Sequence, residues 1–333
     1  MVKLGYCLKI VMRLIFAFLL LLASCSPQSD PPSPEPSSSE GTFESNNPYL
    51  VVLGIAQDGG APQAGSHTDV RWNDPSNAHF ATSLGLVDPE TGKRWLFEAT
   101  PDFKQQWYAL DTRAGLREER VPDGIFLTHA HIGHYTGLMF LGHESVGAQG
   151  VPVYVWPKMA TFLTDNGPWS QLVKYKNIEI ETLGPDTVVE LSDSLNVRSF
   201  LVPHRQEFSE VAGFIVQGPN RKVGFIPDID SWEEWDSTGI GLDRFLESVD
   251  VAFLDATFFA NGEIPGRDMS SFPHPFISHT MERLARASEE TKSKVIFIHL
   301  NHTNPALQMD SEANLVIKKA GFRVARPGDE IEL

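Results

Sequence analysis

Cysteine is nearly absent: among 333 residues only Cys7 and Cys25 carry a thiol. Both lie near the start, so the rest of the chain can form neither a disulfide nor a cysteine-based zinc knuckle. Any metal site there must draw on His, Asp and Glu. Basic charge is scarce as well, with 27 Lys and Arg against 43 Asp and Glu, a net charge of −16. So acidic a chain is a poor partner for nucleic acid, whose phosphates need basic patches. Charged and aromatic residues are spread along the length, which excludes a wholly disordered chain and a multi-span membrane protein. There is no G-x-G-x-x-G, no strict βαβ alternation and no visible internal repeat.

What is present begins with the N-terminus. Lys3, Lys9 and Arg13 precede the apolar run LIFAFLLLLA, and Leu22 to Cys25 read LASC. A basic region, an apolar region and small residues at the cut describe a secretory signal, and the ending resembles the bacterial lipobox. Residues 1–24 are therefore expected to be a lipoprotein signal peptide, with Cys25 lipidated and Ser26 compatible with outer-membrane sorting. Removing the segment takes away three positive charges and shifts the net charge from −16 to −19. Residues 25–48 are Pro- and Ser-rich and read as a flexible tether. The expectation is a lipoprotein of the cell envelope facing the periplasm, with a membrane contact through the lipid on Cys25.

From Tyr49 onward, one domain is expected to run to Leu333. β-Branched apolar runs recur, among them YLVVLGIA, ATSLGLVD, RWLFEAT, DGIFLTHAH, VPVYVW and VDVAFLDATF. VAGFIVQG and KVGFIPDI flank the turn PNRK and predict a hairpin. Helical patches are expected at 102–110, 135–141, 158–165, 232–246, 279–290 and 310–320. Strands in runs with interspersed helices suit two sheets packed face to face with helices outside.

The histidines cluster. THAHIGHYTGL places His129, His131 and His134 in six residues at the end of the strand-like GIFL. On extended backbone alternate side chains point the same way, so His129 and His131 can grip one ion while His134 serves a second. Zinc, iron or manganese all suit imidazole donors. His204, Asp228, Asp255 and His299 each emerge from the end of an apolar run in the same manner.

These pieces resemble the metallo-β-lactamase fold, an αββα sandwich with metal at one edge. Within it the chain is similar to the pyrroloquinoline-quinone biosynthesis protein B family. The matching stretches are VVLGIAQDGGAPQ, FEATPDFKQQ, LTHAHIGHYTGLM, VPHR, LDATFF and VIFIHLNHTNPAL. The resemblance implies a first ion on His129, His131 and His204, Asp228 bridging, and His134 and His299 at a second ion. It implies one or two zinc ions, with iron or manganese as alternatives, and a small-molecule substrate. Asp255 and His279 would be a carboxylate–imidazole pair that protonates a leaving group, with His274 left as a loop residue. Gly133 stands where the family's loop carries Asp. Asp58, His302, Glu98 and Asp102 are the candidates to compensate for it. The activity implied is metal-dependent hydrolysis. A non-haem iron oxidase or oxygenase is the alternative, as is a periplasmic binding protein that has lost its chemistry.

Overall fold

The computed structural model describes residues 46–116 and 120–333. The expected signal peptide, Cys25 and nearly all of the tether lie outside these. Among the described residues, fourteen strands form two seven-stranded sheets. The first contains β1 (Tyr49–Gly54), β2 (Ser83–Asp88), β3 (Lys93–Phe97), β4 (Gly124–Phe126), β5 (Val151–Val155) and β6 (Ile178–Thr182). The second contains β7 (Val188–Ser192), β8 (Leu195–Leu201), β9 (Ala212–Gln217), β10 (Lys222–Ile226), β11 (Val251–Asp255), β12 (Val295–Ile298) and β13 (Arg323–Val324). The last strand, β14 (Glu330–Glu332), crosses back to pair antiparallel with β1. The orders are β14-β1-β2-β3-β4-β5-β6 and β13-β12-β11-β10-β9-β8-β7.

Each sheet is antiparallel at the start of its run and parallel after it: β3, β4, β5 and β6 are parallel, as are β10, β11, β12 and β13. Strands covered on both faces read as continuous apolar runs, and every residue of β1 is buried. Leu50 and Val52 of β1 face the second sheet, while Val51 and Leu53 face the helices. Phe97 and Phe126 meet Phe214 across the sandwich at ring-centroid distances of 5.5 and 5.6 Å. Helix Phe103–Arg113 covers the outside of the first sheet through Phe103 and Leu110. Trp232, Trp235 and Phe245 cover the outside of the second. The αββα sandwich expected from the sequence is the one observed.

Several helices differ in extent from expectation. The patch at 232–246 is two helices, Trp232–Ser237 and Gly241–Ser248, broken where Gly239 and Gly241 take φ of 87° and 66°. That at 279–290 divides into Ile277–Arg283 and Glu289–Lys294, the second capped by the Ser288 hydroxyl accepting from the Thr291 amide. Helix Trp169–Lys174 was not apparent from periodicity, being too short to show it. Among the described residues no helix is long and apolar enough to cross a membrane.

Candidate metal centre

The chemistry-bearing side chains gather where strands end. Asp58 follows β1, Glu98 follows β3, and His129, His131 and His134 follow β4. From the other sheet, His204 follows β8, Asp228 follows β10, Asp255 closes β11 and His299 follows β12. The sheets are stitched at this edge: the Gln57 amide donates to the Leu300 carbonyl at 2.8 Å, the Leu300 amide to Ile55 at 2.8 Å, and the Ala212 amide to Thr128 at 3.0 Å. Carboxyl ends of strands from both sheets, parallel and antiparallel alike, are brought together by this seam to form a cleft.

Three sets of donors lie there, the third being Asp228 with Asp255, His274 and His299. In the first, His129, His131, His204 and Asp228 each offer an atom within 4.8 Å of the others. Asp228 Oδ2 is 3.5 Å from His129 Nε2 and 3.3 Å from His204 Nε2, and His204 Nε2 is 3.3 Å from His131 Nδ1. A tetrahedron with bonds of about 2.0–2.1 Å to zinc has edges of about 3.3–3.4 Å, so these spacings suit one ion. In the second set, Asp58 Oδ1 is 3.3 Å from His134 Nε2, and His299 completes the group. Asp228 Oδ2 lies 3.6 and 3.9 Å from the Nε2 atoms of His134 and His299. One carboxylate therefore adjoins both of these sets.

The imidazoles are oriented from behind. Glu98 accepts from His134 Nδ1 at 3.2 Å and from the Thr128 hydroxyl, which in turn takes His129 Nδ1 at 2.8 Å. Asp230 holds His204 Nδ1 at 2.7 Å, and the Thr257 hydroxyl holds His299 Nδ1 at 3.0 Å. With each Nδ1 engaged as a donor, each Nε2 keeps a lone pair aimed into the cleft. The Nε2 atoms of His129, His134 and His299, with Asp58 Oδ1, are buried without a hydrogen-bond partner. Buried polar atoms are rarely left so, and converging lone pairs want a cation. The residues present fit a metal centre.

The electrostatics divide the ligands: against the effect of burial, Glu98 and Asp58 hold His134 well above its ordinary imidazole range and Asp228 and Asp230 push His204 up to about 9, so an ion binding there would displace a proton. Burial holds the imidazoles of His129 and His299 below their ordinary range despite the carboxylates nearby, which keeps them neutral as ligands. Burial also works against the Asp58 carboxyl, but His134 beside it at 3.3 Å holds its pKa below the ordinary carboxylate range.

Asp255 plays a different part. Its Oδ2 accepts from the Ile229 amide and its Oδ1 from the amide and hydroxyl of Thr257, at 3.0, 2.9 and 2.7 Å. Those bonds leave it little capacity for an ion, and its remaining partner is His274 Nδ1 at 2.8 Å. His274 Nδ1 also reaches Asp228 Oδ1 at 3.0 Å. Burial alone lowers an imidazole pKa, yet Asp255 and Asp228 push that of His274 up to about 10. The structure does not bring His279 to this pair. Its side chain is 44% exposed on helix Ile277–Arg283, with Nε2 3.2 Å from Glu233. The imidazole beside Asp255 is His274, the one the sequence suggested was only a loop residue. It is on a loop, but the chain there folds back over the cleft.

Two other expected compensators stand aside. Asp102 accepts from the Ala81 amide at 2.8 Å and anchors a turn. His302 lies beside Arg71 and Asp69, its carbonyl accepting from Arg71 at 2.6 Å. Glu98 is a buttress behind His134 and Thr128. Sequence reasoning missed Thr128, Asp230 and Thr257 altogether, although each lies within two residues of a recognised His or Asp.

Backbone strain marks the same edge. Among the described residues, the non-glycine positions with positive φ are Asp58, Glu98, His274, His299 and Lys176, and only Lys176 lies outside the cleft. Such conformations persist where the surroundings over-determine them, and functional sites are where they collect.

Residues 93–300 match the family model described as beta-lactamase superfamily domain. The chain belongs to that superfamily. Among curated relatives, this superfamily member is 26% identical over 310 residues to coenzyme PQQ synthesis protein B of Xanthomonas campestris pv. campestris strain B100, covering 85% of this chain and 99% of the relative. The crystal structure of Zn²⁺-bound PqqB from Methylobacterium extorquens has TM-score 0.69 at 20% identity, covering 86% of this chain and all of that one. A diphosphatase from the PhnP family has TM-score 0.58 at 22% identity, covering 86% and 97%. These likenesses concern the fold. Within it, THAHIGHYTGL carries three of the clustered histidines, with glycine at position 133.

Proposed function

We propose that the protein is a zinc-dependent hydrolase of an anionic ester, a phosphodiester foremost. The observation that carries this reading is the Asp255–His274 pair, hydrogen-bonded at 2.8 Å and joined through Asp228 to the metal-ligand sets. Bound zinc supplies a nucleophilic water near neutral pH and draws charge from the scissile bond.

The chain's own residues supply the rest. His129, His131, His204 and Asp228 hold one ion, and His134 and His299 serve a second. Asp255 orients His274 through Nδ1, so that Nε2 faces outward. There Arg205 Nη2, itself only a donor, lies 3.3 Å away, so Nε2 can carry the proton it gives up only once this 46% exposed side chain turns from it to the substrate's phosphate. A guanidinium is always charged and matches phosphate geometry, which favours a phosphodiester over a neutral lactone or amide. As the bond to the leaving oxygen breaks, its electron pair stays on that oxygen, which takes a proton from His274 Nε2.

The test compares full-length protein loaded with zinc on a p-nitrophenyl phosphodiester, an alkyl phosphodiester and a lactone. Turnover of the lactone alone overturns the phosphodiester reading. A second reading has one observation in its favour: Asp58, His134 and His299 are two histidines and a carboxylate, a donor set that suits non-haem iron. Iron in the purified protein with oxygen-dependent turnover would select it. Export and anchoring through Cys25 belong to the proposal too, supported by LASC and the basic, apolar segment before it. Cys25→Ala should move the protein out of the membrane fraction.

A further inference from the structure

Residue 133 has no room for a side chain. A Cβ there would come within 2.3 Å of Asp58 Oδ1 and 2.4 Å of Asp58 Cα. The obstruction includes backbone, so no rotamer change relieves it. The space next to His134 that a residue-133 side chain would enter is thus filled by an aspartate from another part of the chain.

That aspartate is held in place deliberately. The Gly60 amide donates to the Gln57 carbonyl at 2.9 Å, closing a tight turn in which Asp58 has φ of 34°. Aspartate tolerates this region better than most side chains. Gln57 is tied by its amide to Leu300 and by its side chain to Asn301, next to His299. The turn is therefore fixed to the strand end that carries the second set's other histidine. Asp58 Oδ1 itself is buried and makes no hydrogen bond, and it faces His134 Nε2, which makes none either, across 3.3 Å.

We propose that Asp58 is the carboxylate ligand of the second ion, relocated from position 133 to the loop after β1, and that the two positions exclude each other. The proposal rests on the metal-centre reading but not on the reaction. The test is metal stoichiometry by mass spectrometry on the full-length protein, with Co²⁺ absorbance as a second readout and circular dichroism as the check on folding. Wild type should hold two ions. Asp58→Asn keeps the shape and should hold one, with affinity at the second site down more than about tenfold. Gly133→Ala should also lose that ion by displacing Asp58. The double variant Asp58→Gly with Gly133→Asp should regain it.

Asp58→Asn retaining both ions at unchanged affinity overturns the proposal, as does a wild type that binds only one or none. A folded double variant that stays at one ion overturns the exchange of positions. If the metal counts behave as expected but no ester is hydrolysed, the hydrolase reading falls and this one stands.

Discussion

His274 Nδ1 donates to Asp255 Oδ2 at 2.8 Å, whereas His279, five residues on, faces Glu233 on the protein surface. The assignment of the proton donor turns on that difference. His274→Ala should lower turnover of a poor alkoxide leaving group by about 10²–10⁴-fold, with less effect on p-nitrophenolate, which needs no proton. His279→Ala should leave both rates within about twofold. Steady-state kinetics on the two substrates, with metal content checked, decide it; equal losses for both leaving groups would remove His274 from the acid role.

The hydroxyl of Thr257 accepts from His299 Nδ1 and donates to Asp255 Oδ1, linking a ligand to the proton-donor support. Thr257→Val keeps the shape and removes both bonds. Affinity at the second ion should fall about 10–100-fold, measured by competition with a chromophoric chelator. An unchanged affinity would mean that His299 is oriented by packing alone.

His79 gives a pH dependence unconnected with the metals. Burial, then the charges of Arg71 and Arg326, lower its pKa to about 4. The unfolded chain, at an ordinary value near 6.5, binds the proton first as pH falls. Stability should therefore be full above about pH 6.5 and decline through acid to about pH 4. After allowance for residual solvent screening the loss is roughly 2 kcal/mol. His79→Gln should be less sensitive over that window by this amount in urea titrations. Parallel curves for the two proteins would show that His79 titrates normally.

Chelation should destabilise the fold, because both ligand sets join the two sheets. Binding to the native state alone contributes about 4 kcal/mol at a thousandfold excess over Kd. A chelator should thus lower the thermal midpoint by several degrees, reversibly on adding zinc. A midpoint indifferent to chelator would argue against a metal that bridges the sheets.

Much of this site was legible in the sequence because strand ends leave a trace: an apolar run that stops at a lone His or Asp. His129, His131, His134, His204, Asp228, Asp255 and His299 all carry that trace, and the structure brings all of them into one cleft. His274 does not. FPHPF reads as a loop, and its place over Asp255 depends on a φ of 86° and on long-range contacts that no local periodicity records. The family resemblance implies His279, which instead sits within helix Ile277–Arg283 with its side chain toward Glu233. Asp58 could be suspected only because Gly133 raised the question. Its nearness to residue 133 is a product of the turn after β1 and of the seam to Leu300.

The seam between the sheets has one more consequence. The donors of one set run from His129 to Asp228 and those of the other from Asp58 to His299, so no short stretch of unfolded chain presents a complete set. An ion can be captured only once both halves have closed, and capture is then the last step of maturation. The compartment in which the chain folds, and the metals free in that compartment, would thus decide which ion the protein carries.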